Sequence, residues 1–262
     1  MTSGRSARAL RSAALVLSLL PMGLAQAVMT GLPDLIDQVK PSIVVVGTYA
    51  TNRNPAFVMR GTGFVVGDGT LVATNEHVLP EILDAASGET VMILTVAGQA
   101  GARDRQARRV ATDKMHDLAL LRIDGAPLRP LSLHDKGLVR EGQIVAYTGF
   151  PIGGALGYTP VTHRAMISAI TPVVLPTARA SQLNEKLIAR VRSGTFDVYQ
   201  LDGTAYPGNS GGPMFEVDKG EVVGIVNMVF VKGAKESALS KPSGISFAVP
   251  VSHLQILLRE LH

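Results

Sequence analysis

Tyr206-Pro207-Gly208-Asn209-Ser210-Gly211-Gly212-Pro213 sets a serine between Gly208 on one side and Gly211 and Gly212 on the other. Glycines there let the backbone turn tightly and lie close to a ligand, which is how a nucleophile is presented. In acyl transfer the serine oxygen attacks a carbonyl while backbone N–H groups point at the developing oxyanion. The oxyanion site would be built from Gly208, Asn209 and Ser210, with the N–H groups of Gly208 and of Ser210 itself as donors. A serine hydroxyl is a weak nucleophile until a neighbouring base takes its proton, so this reading requires a histidine and an orienting acid elsewhere in the chain.

The chain offers both. His77 ends Leu71-Val72-Ala73-Thr74-Asn75-Glu76-His77, where an apolar run gives way to polar residues, as when a strand delivers a histidine to its end. Asp117 opens Asp117-Leu118-Ala119-Leu120-Leu121-Arg122-Ile123. Both alternating sets in that run, Leu118/Leu120 and Ala119/Leu121, are apolar, so the strand is buried and a carboxylate at its start needs a partner. Asp113 and Asp124 compete for the role but read as loop residues. His116 falls on the face opposite Asp117 if the segment is a strand, and His134, His163, His253 and His262 read as surface or core polar residues. No HExxH, no Cys/His cluster and no acidic loop of calcium spacing occurs, so neither a metal nor another cofactor is implied.

Elsewhere the pattern is one of short strands: Ile43–Thr48, Gly63–Val66, Leu71–Thr74, Val91–Val96, Leu118–Ile123, Ile144–Tyr147, Val161–Ile170, Val198–Leu201, Val222–Val229 and Ser246–Val249. Apolar β-branched runs separated by turn residues at modest intervals predict an all-β barrel protein. Helical signals are few: Asp34–Lys40 before Pro41, a turn after His77, an amphipathic stretch Ser181–Arg192 and a last helix after Pro250. Gly61-x-Gly63 reads as a turn between strands, since no dinucleotide fingerprint follows it.

The motifs Thr74-Asn75-x-His77-Val78, Asp117-Leu118-Ala119-Leu120-Leu121 and Gly208-Asn209-Ser210-Gly211-Gly212-Pro213, in the order His, Asp, Ser, resemble those of the trypsin-like serine peptidases, and most of all the HtrA (Deg) branch of bacterial envelopes and organelles. The resemblance spans roughly Pro33 to Leu258. It implies two six-stranded antiparallel β-barrels, residues about 28–130 and 131–250, with a C-terminal helix over 251–262 and an extra helix in an activation-type loop between Pro172 and Gly194. It further implies a Ser-His-Asp triad of Ser210, His77 and Asp117 in the cleft between the barrels, a serine endopeptidase acting on unfolded or peptide-like protein segments, and a homotrimer as the common assembly. The alternative is a non-catalytic or latent protease-like module that binds polypeptides. In this fold the floor of the substrate pocket lies about six residues before the nucleophile, at Thr204, and its walls come from the strand carrying Val226, Met228 and Val229. That lining implies cleavage after small or medium aliphatic residues. Asp202 nearby reads as a hydrogen-bonding residue of the barrel rim. Only 12 residues follow Pro250 and nothing in them resembles a PDZ domain, so PDZ-gated regulation is not carried over.

Residues 1–27 read as an export signal: Arg5, Arg8 and Arg11, the apolar run Ala13 to Leu20, then Pro21 and the small-x-small site Ala25-Gln26-Ala27. Cleavage after Ala27 is the simplest outcome, because the run is interrupted by Pro21 and falls short of a membrane span, with a retained membrane anchor as the alternative. A periplasmic or secreted protease domain over 28–262, with no stable membrane insertion after cleavage, is expected. The formal charge of +4 sits mostly in that segment, because the remainder carries 22 basic against 21 acidic residues. With no stripe of Lys/Arg and aromatics, that balance leaves no nucleic-acid footprint. The basic patch Arg103 to Arg109 reads as a solvated edge strand or loop. With 0 Cys the chain makes no disulfides, and its stability must come from an ordinary core.

Overall fold

A single strand, Ile43–Tyr49 (β1), shows how the sequence builds two cores at once. Successive side chains point to opposite faces of a strand. Ile43 and Val45 accordingly join one buried cluster and Val44 and Val46 another. The same split divides Leu118 and Leu120 from Ala119 and Leu121 on β6 (Leu118–Ile123). The computed structural model describes residues 31–95, 104–153, 157–173, 196–228 and 244–261. The signal-like segment 1–27, Val229 and the expected helix Ser181–Arg192 lie outside those residues.

β1 and β6 belong to a first closed antiparallel barrel with β2 (Phe57–Val66), β3 (Leu71–Thr74), β4 (Thr90–Thr95) and β5 (Asp104–Asp113), in the order β1-β2-β3-β6-β5-β4. A second closed barrel contains β7 (Ile144–Gly149), β8 (Val161–Pro172), β9 (Asp197–Leu201), β10 (Pro213–Glu216), β11 (Val222–Asn227) and β12 (Ser246–Pro250), in the order β10-β11-β12-β9-β8-β7. Closure removes the exposed edges that an open sheet would leave. Val44, Val46, Val65, Val72, Ile93 and Leu121 fill the first barrel, and Val145, Tyr147, Tyr199, Leu201 and Met214 are among those filling the second. The third cluster lies between them: Phe64 and Leu120 from barrel one meet Phe150, Phe215 and Ile225 from barrel two.

Two expectations are corrected here. Gly61 and Gly63 are not in a turn; both lie inside β2, paired with Val46 and Val44. They are glycines because of what crowds them: a Cβ at Gly61 would lie 2.7 Å from Val78 Cγ2 and 2.9 Å from the Ser210 carbonyl, and one at Gly63 would lie 2.7 Å from Val72 Cγ1. The basic patch is not an edge strand either. From Asp104 on it runs in β5, which pairs with β4 on one side and β6 on the other, its arginines Arg108 and Arg109 facing outward.

The helices cover the seam. α1 (Leu32–Val39) starts with Pro33 in its first turn and buries Leu35 and Val39, one turn apart, in the inter-barrel cluster. α2 (Val251–Arg259) buries Val251, Leu254 and Leu257 there and ends with Arg259 in its last turn. Among the described residues no helix is long and apolar enough to cross a membrane. His253 of α2 stacks on His116 of the β5–β6 turn, ring centroids 3.7 Å apart, with Phe196 edge-on at 5.6 Å.

That stack predicts an acid response. Burial, and then the charge of neighbouring His116, depress the His253 pKa to about 4, against about 6.5 in an unfolded chain. The unfolded chain takes up a proton that the folded chain refuses, so stability is full above about pH 6.5 and falls as pH drops toward about 4. His253→Phe, which keeps an aromatic ring in the stack, should flatten part of that fall in chemical denaturation followed across this range. His163, also depressed by burial, contributes to the residual slope, and toward its acid end so do the carboxylates that folding holds below their usual range, Glu89 among them. An unchanged slope would contradict the assignment.

Candidate active site

The acid of the site is built first. Asp113, the last residue of β5 and not a loop residue, accepts the backbone N–H groups of Met115 and His116 on Oδ1 (3.0 and 3.1 Å) and pairs its Oδ2 with His116 Nδ1 at 2.5 Å. This tight turn delivers Asp117 at φ 56°, left-handed backbone that aspartate tolerates better than most side chains. Asp117 is 4% exposed, and every donor around it is aimed. Oδ1 accepts the His77 backbone N–H at 2.8 Å; Oδ2 lies 2.6 Å from His77 Nδ1 and accepts Asn227 Nδ2 at 2.8 Å. The Asp117 carbonyl accepts Asn75 Nδ2 (2.9 Å) and Glu76 N–H (3.1 Å). The 3-10 turn Glu76–Val78 that carries His77 is thereby fastened to Asp117 along its length. An ionised carboxylate can only accept, so Nδ1 carries the proton and Nε2 of the neutral ring keeps its lone pair for a substrate-side proton. Asp124 is exposed, and Asp113 is committed to His116. Neither reaches His77.

The serine loop is held from barrel one. Thr62 N–H donates to the Ser210 carbonyl (2.9 Å), Thr62 Oγ1 donates to the Gly208 carbonyl (2.6 Å) and accepts Phe150 N–H (3.1 Å), and the Thr62 carbonyl accepts Thr74 Oγ1 (2.7 Å). Gly211, at φ +85°, lies so close that a Cβ would sit 2.2 Å from the Thr62 carbonyl and 3.1 Å from Asn75 N. Gly211 N–H donates to the Val226 carbonyl, adjacent to the Asn227 that bonds Asp117. Gly61 packs against the Ser210 carbonyl and against Val78, the residue after His77. Ser210, His77 and Asp117 thus converge where the two barrels meet, Ser210 at 5% exposure and the His77 side chain at 28%.

One part of the expected site changes. Asn209, placed in the oxyanion loop but not as a donor, gives its N–H to the Tyr206 carbonyl at 2.9 Å, and its side chain is buried against Gly149. Among the described residues the N–H groups of Gly208 and Ser210 have no such acceptor, and Gly208, at φ +103°, has no room for a side chain beside the Phe150 carbonyl. Val226 does not line a pocket: it is fully buried in the core of barrel two. Met228 is partly buried against the same core, Thr204 is partly exposed, and the Thr204 carbonyl accepts the Tyr147 hydroxyl at 2.8 Å. Tyr147 in turn stacks on His163, 5.1 Å between centroids. Asp202 accepts Met166 N–H at 2.6 Å on the barrel rim. Thr62 and Asn227 escaped the sequence reading. The signal for Thr62 was the Gly-x-Gly frame around it, taken for a turn.

Paired closed barrels with a serine, a histidine and an aspartate at their junction define the trypsin-like peptidases. The sequence profile of the trypsin-like peptidase domain matches residues 61–225, and the chain belongs to that family. Its relatives include a probable periplasmic serine endoprotease of the DegP-like kind from Pseudomonas putida, 29% identical over 73% of this chain and 32% of the relative. The serine protease PepD of Mycobacterium tuberculosis is 28% identical over 87% of this chain and 47% of the relative. The chain therefore spans about a third to about a half of the length of those relatives. Among solved structures, the serine endoprotease from Yersinia pestis shares the fold at a TM-score of 0.61 and 22% identity, covering 88% of this chain and 66% of that one.

Thr62→Val keeps the shape but strands the Gly208 carbonyl and the Phe150 N–H. Each buried group left without its partner costs roughly 1–3 kcal/mol, so the denaturation midpoint should fall measurably. A midpoint equal to the parent's would show that the inter-barrel clamp does not depend on this hydroxyl.

Proposed function

We propose that this chain is an exported serine endopeptidase that cleaves unfolded or peptide-like protein segments through an acyl-enzyme. The observation that carries the reading is the 2.6 Å contact of His77 Nδ1 with a buried Asp117 carboxylate, on the turn that meets the glycine-framed loop of Ser210. Ser210 Oγ attacks the scissile carbonyl carbon as His77 Nε2 takes its proton. The carbonyl oxygen gains the charge and is met by the N–H groups of Gly208 and Ser210. His77 then gives its proton to the leaving amine, water enters, and the same base activates it to release the acid. Asp117 stabilises the imidazolium throughout and fixes its tautomer, and Asn227 holds the carboxylate in place.

Export rests on the signal-like segment 1–27 and on periplasmic relatives. The substrate side chain would meet Thr204 and Met228, both uncharged, while Asp202 is engaged by Met166 N–H on the rim. A lysine or arginine placed in an uncharged pocket loses its hydration without gaining a partner.

A fluorophosphonate probe should label the protein, and labelling should vanish in Ser210→Ala. Peptide hydrolysis should fall about 10⁴- to 10⁶-fold in Ser210→Ala and His77→Ala and about 10⁴-fold in Asp117→Asn. Asn227→Ala should lower kcat roughly tenfold to a hundredfold with KM little changed, since one buried carboxylate oxygen loses a donor. Labelling that survives in Ser210→Ala, or full activity in Asp117→Asn, would break the assignment. Cut sites mapped on denatured casein should fall after Val, Ala, Ile, Leu or Thr. A majority after Lys or Arg would overturn the pocket and leave the triad standing.

A further inference from the structure

The β10–β11 hairpin brings together a second set of chemically active side chains, at the end of β10 remote from Ser210. Glu216 closes β10 and Glu221 precedes β11. The turn between them is tight: Glu216 N–H donates to the Glu221 carbonyl at 3.0 Å and Gly220 N–H to the Glu216 carbonyl at 2.9 Å. The inter-barrel linker is laced to the same hairpin. Leu133 forms a parallel bridge with Val222, His134 N–H donates to the Val222 carbonyl at 2.9 Å, and Val222 N–H donates to the Ser132 carbonyl at 2.8 Å. As a result His134 Nδ1 lies 3.0 Å from Glu221 Oε2, and one donor atom from each of His134, Glu216 and Glu221 lies within 4.8 Å of the other two.

Glu216 and His134 are 5% and 6% exposed, and Glu221 is half-buried. Two carboxylates this close, one of them deeply buried, call for a nearby cation. The cation at hand is Lys219, whose Nζ is 3.7 Å from Glu216 Oε2 but whose side chain is 54% exposed and therefore largely hydrated. The donors are braced from behind: Gln143 Nε2 donates to Glu216 Oε1 at 2.5 Å, and Gln255 Nε2 of α2 donates to the His134 carbonyl at 3.0 Å. One imidazole nitrogen and two carboxylates form a nitrogen–oxygen donor set suited to zinc-class ions. Zinc held at about 2.0–2.2 Å from each donor sets tetrahedral ligands roughly 3.3–3.6 Å apart. His134 Nδ1 and Glu221 Oε2 stand 3.0 Å apart and no two of the three donor atoms are more than 4.8 Å apart, so small side-chain shifts bring them to that spacing, and half-exposed Glu221 leaves a side open to water.

We propose that His134, Glu216 and Glu221 bind one divalent transition cation of the zinc class, which ties the inter-barrel linker to the β10–β11 hairpin. Binding replaces the Nδ1 proton of His134, released to solvent, with the metal–nitrogen bond. The sequence carries no motif for this site, because the linker and the hairpin that supply it are brought together only by the fold.

Isothermal titration of the Ser210→Ala chain with zinc chloride, and with cobalt chloride read by visible absorption, tests it. One ion should bind per chain with a saturable cobalt spectrum, and zinc at about a hundred times its Kd should raise Tm by about 5–10 °C. His134→Ala and Glu221→Gln should each weaken binding at least about tenfold. Glu221→Gln sits at the surface, so it keeps the test clear of folding defects. His77→Ala, introduced as a control at the histidine–carboxylate pair beside Ser210, should bind as the parent does. No saturable binding, binding unchanged in both His134→Ala and Glu221→Gln, or binding lost in His77→Ala would each overturn the proposal.

Discussion

A carboxylate that is 4% exposed cannot stand alone, and the arrangement of this protein follows from how Asp117 is satisfied. Barrel one supplies the His77 backbone N–H and ring; barrel two supplies the Asn227 amide. Breaking either side leaves a buried charge short of a donor, which costs more than the hydrogen bond itself contributes. The charge therefore couples the two barrels and fixes the direction of the His77 ring in a single stroke. The left-handed backbone at Asp117 is held in place by the Asp113 turn that precedes it.

The second constraint is proximity. Barrel one reaches the serine loop through Thr62, whose backbone and hydroxyl together bond four groups on both sides of the seam. Such close approach is possible only where side chains are missing, at Gly61 on one barrel and Gly208 and Gly211 on the other. The large apolar cluster between the barrels then excludes water from this polar seam and makes its few hydrogen bonds worth more than they would be at a surface. Period-two alternation gives the strands at the seam two cores to serve, which is why β1 and β6 are apolar on both faces.

Much of this was legible in the residues. The three motifs carry their own local chemistry, and the alternation in Leu118–Ile123 announces a buried strand without reference to partners. The roles that were not legible depend on contacts that only the folded chain makes. Gly61 and Gly63 look like turn residues until Val78, Val72 and the Ser210 carbonyl are seen against them. Val226 reads as a pocket wall, but the register of β11 against β12 turns its side chain into the core of barrel two. Asn209 sits in the motif but gives its N–H to Tyr206. Asn227 carries no motif at all, and its role exists only because β11 passes behind Asp117. The identity of a side chain sets what it can do; where it points depends on residues far away in sequence.

With Asp117 gripped from both barrels, His77 should carry its proton on Nδ1. Nitrogen-15 NMR of histidine-labelled protein, with the His77 resonance assigned by His77→Ala, measures this directly. The neutral ring should be the Nδ1–H tautomer, with a strongly downfield Nδ1 proton that is lost in Asp117→Asn while the fold is kept. A neutral His77 protonated on Nε2, or a spectrum indifferent to Asp117→Asn, would contradict the account.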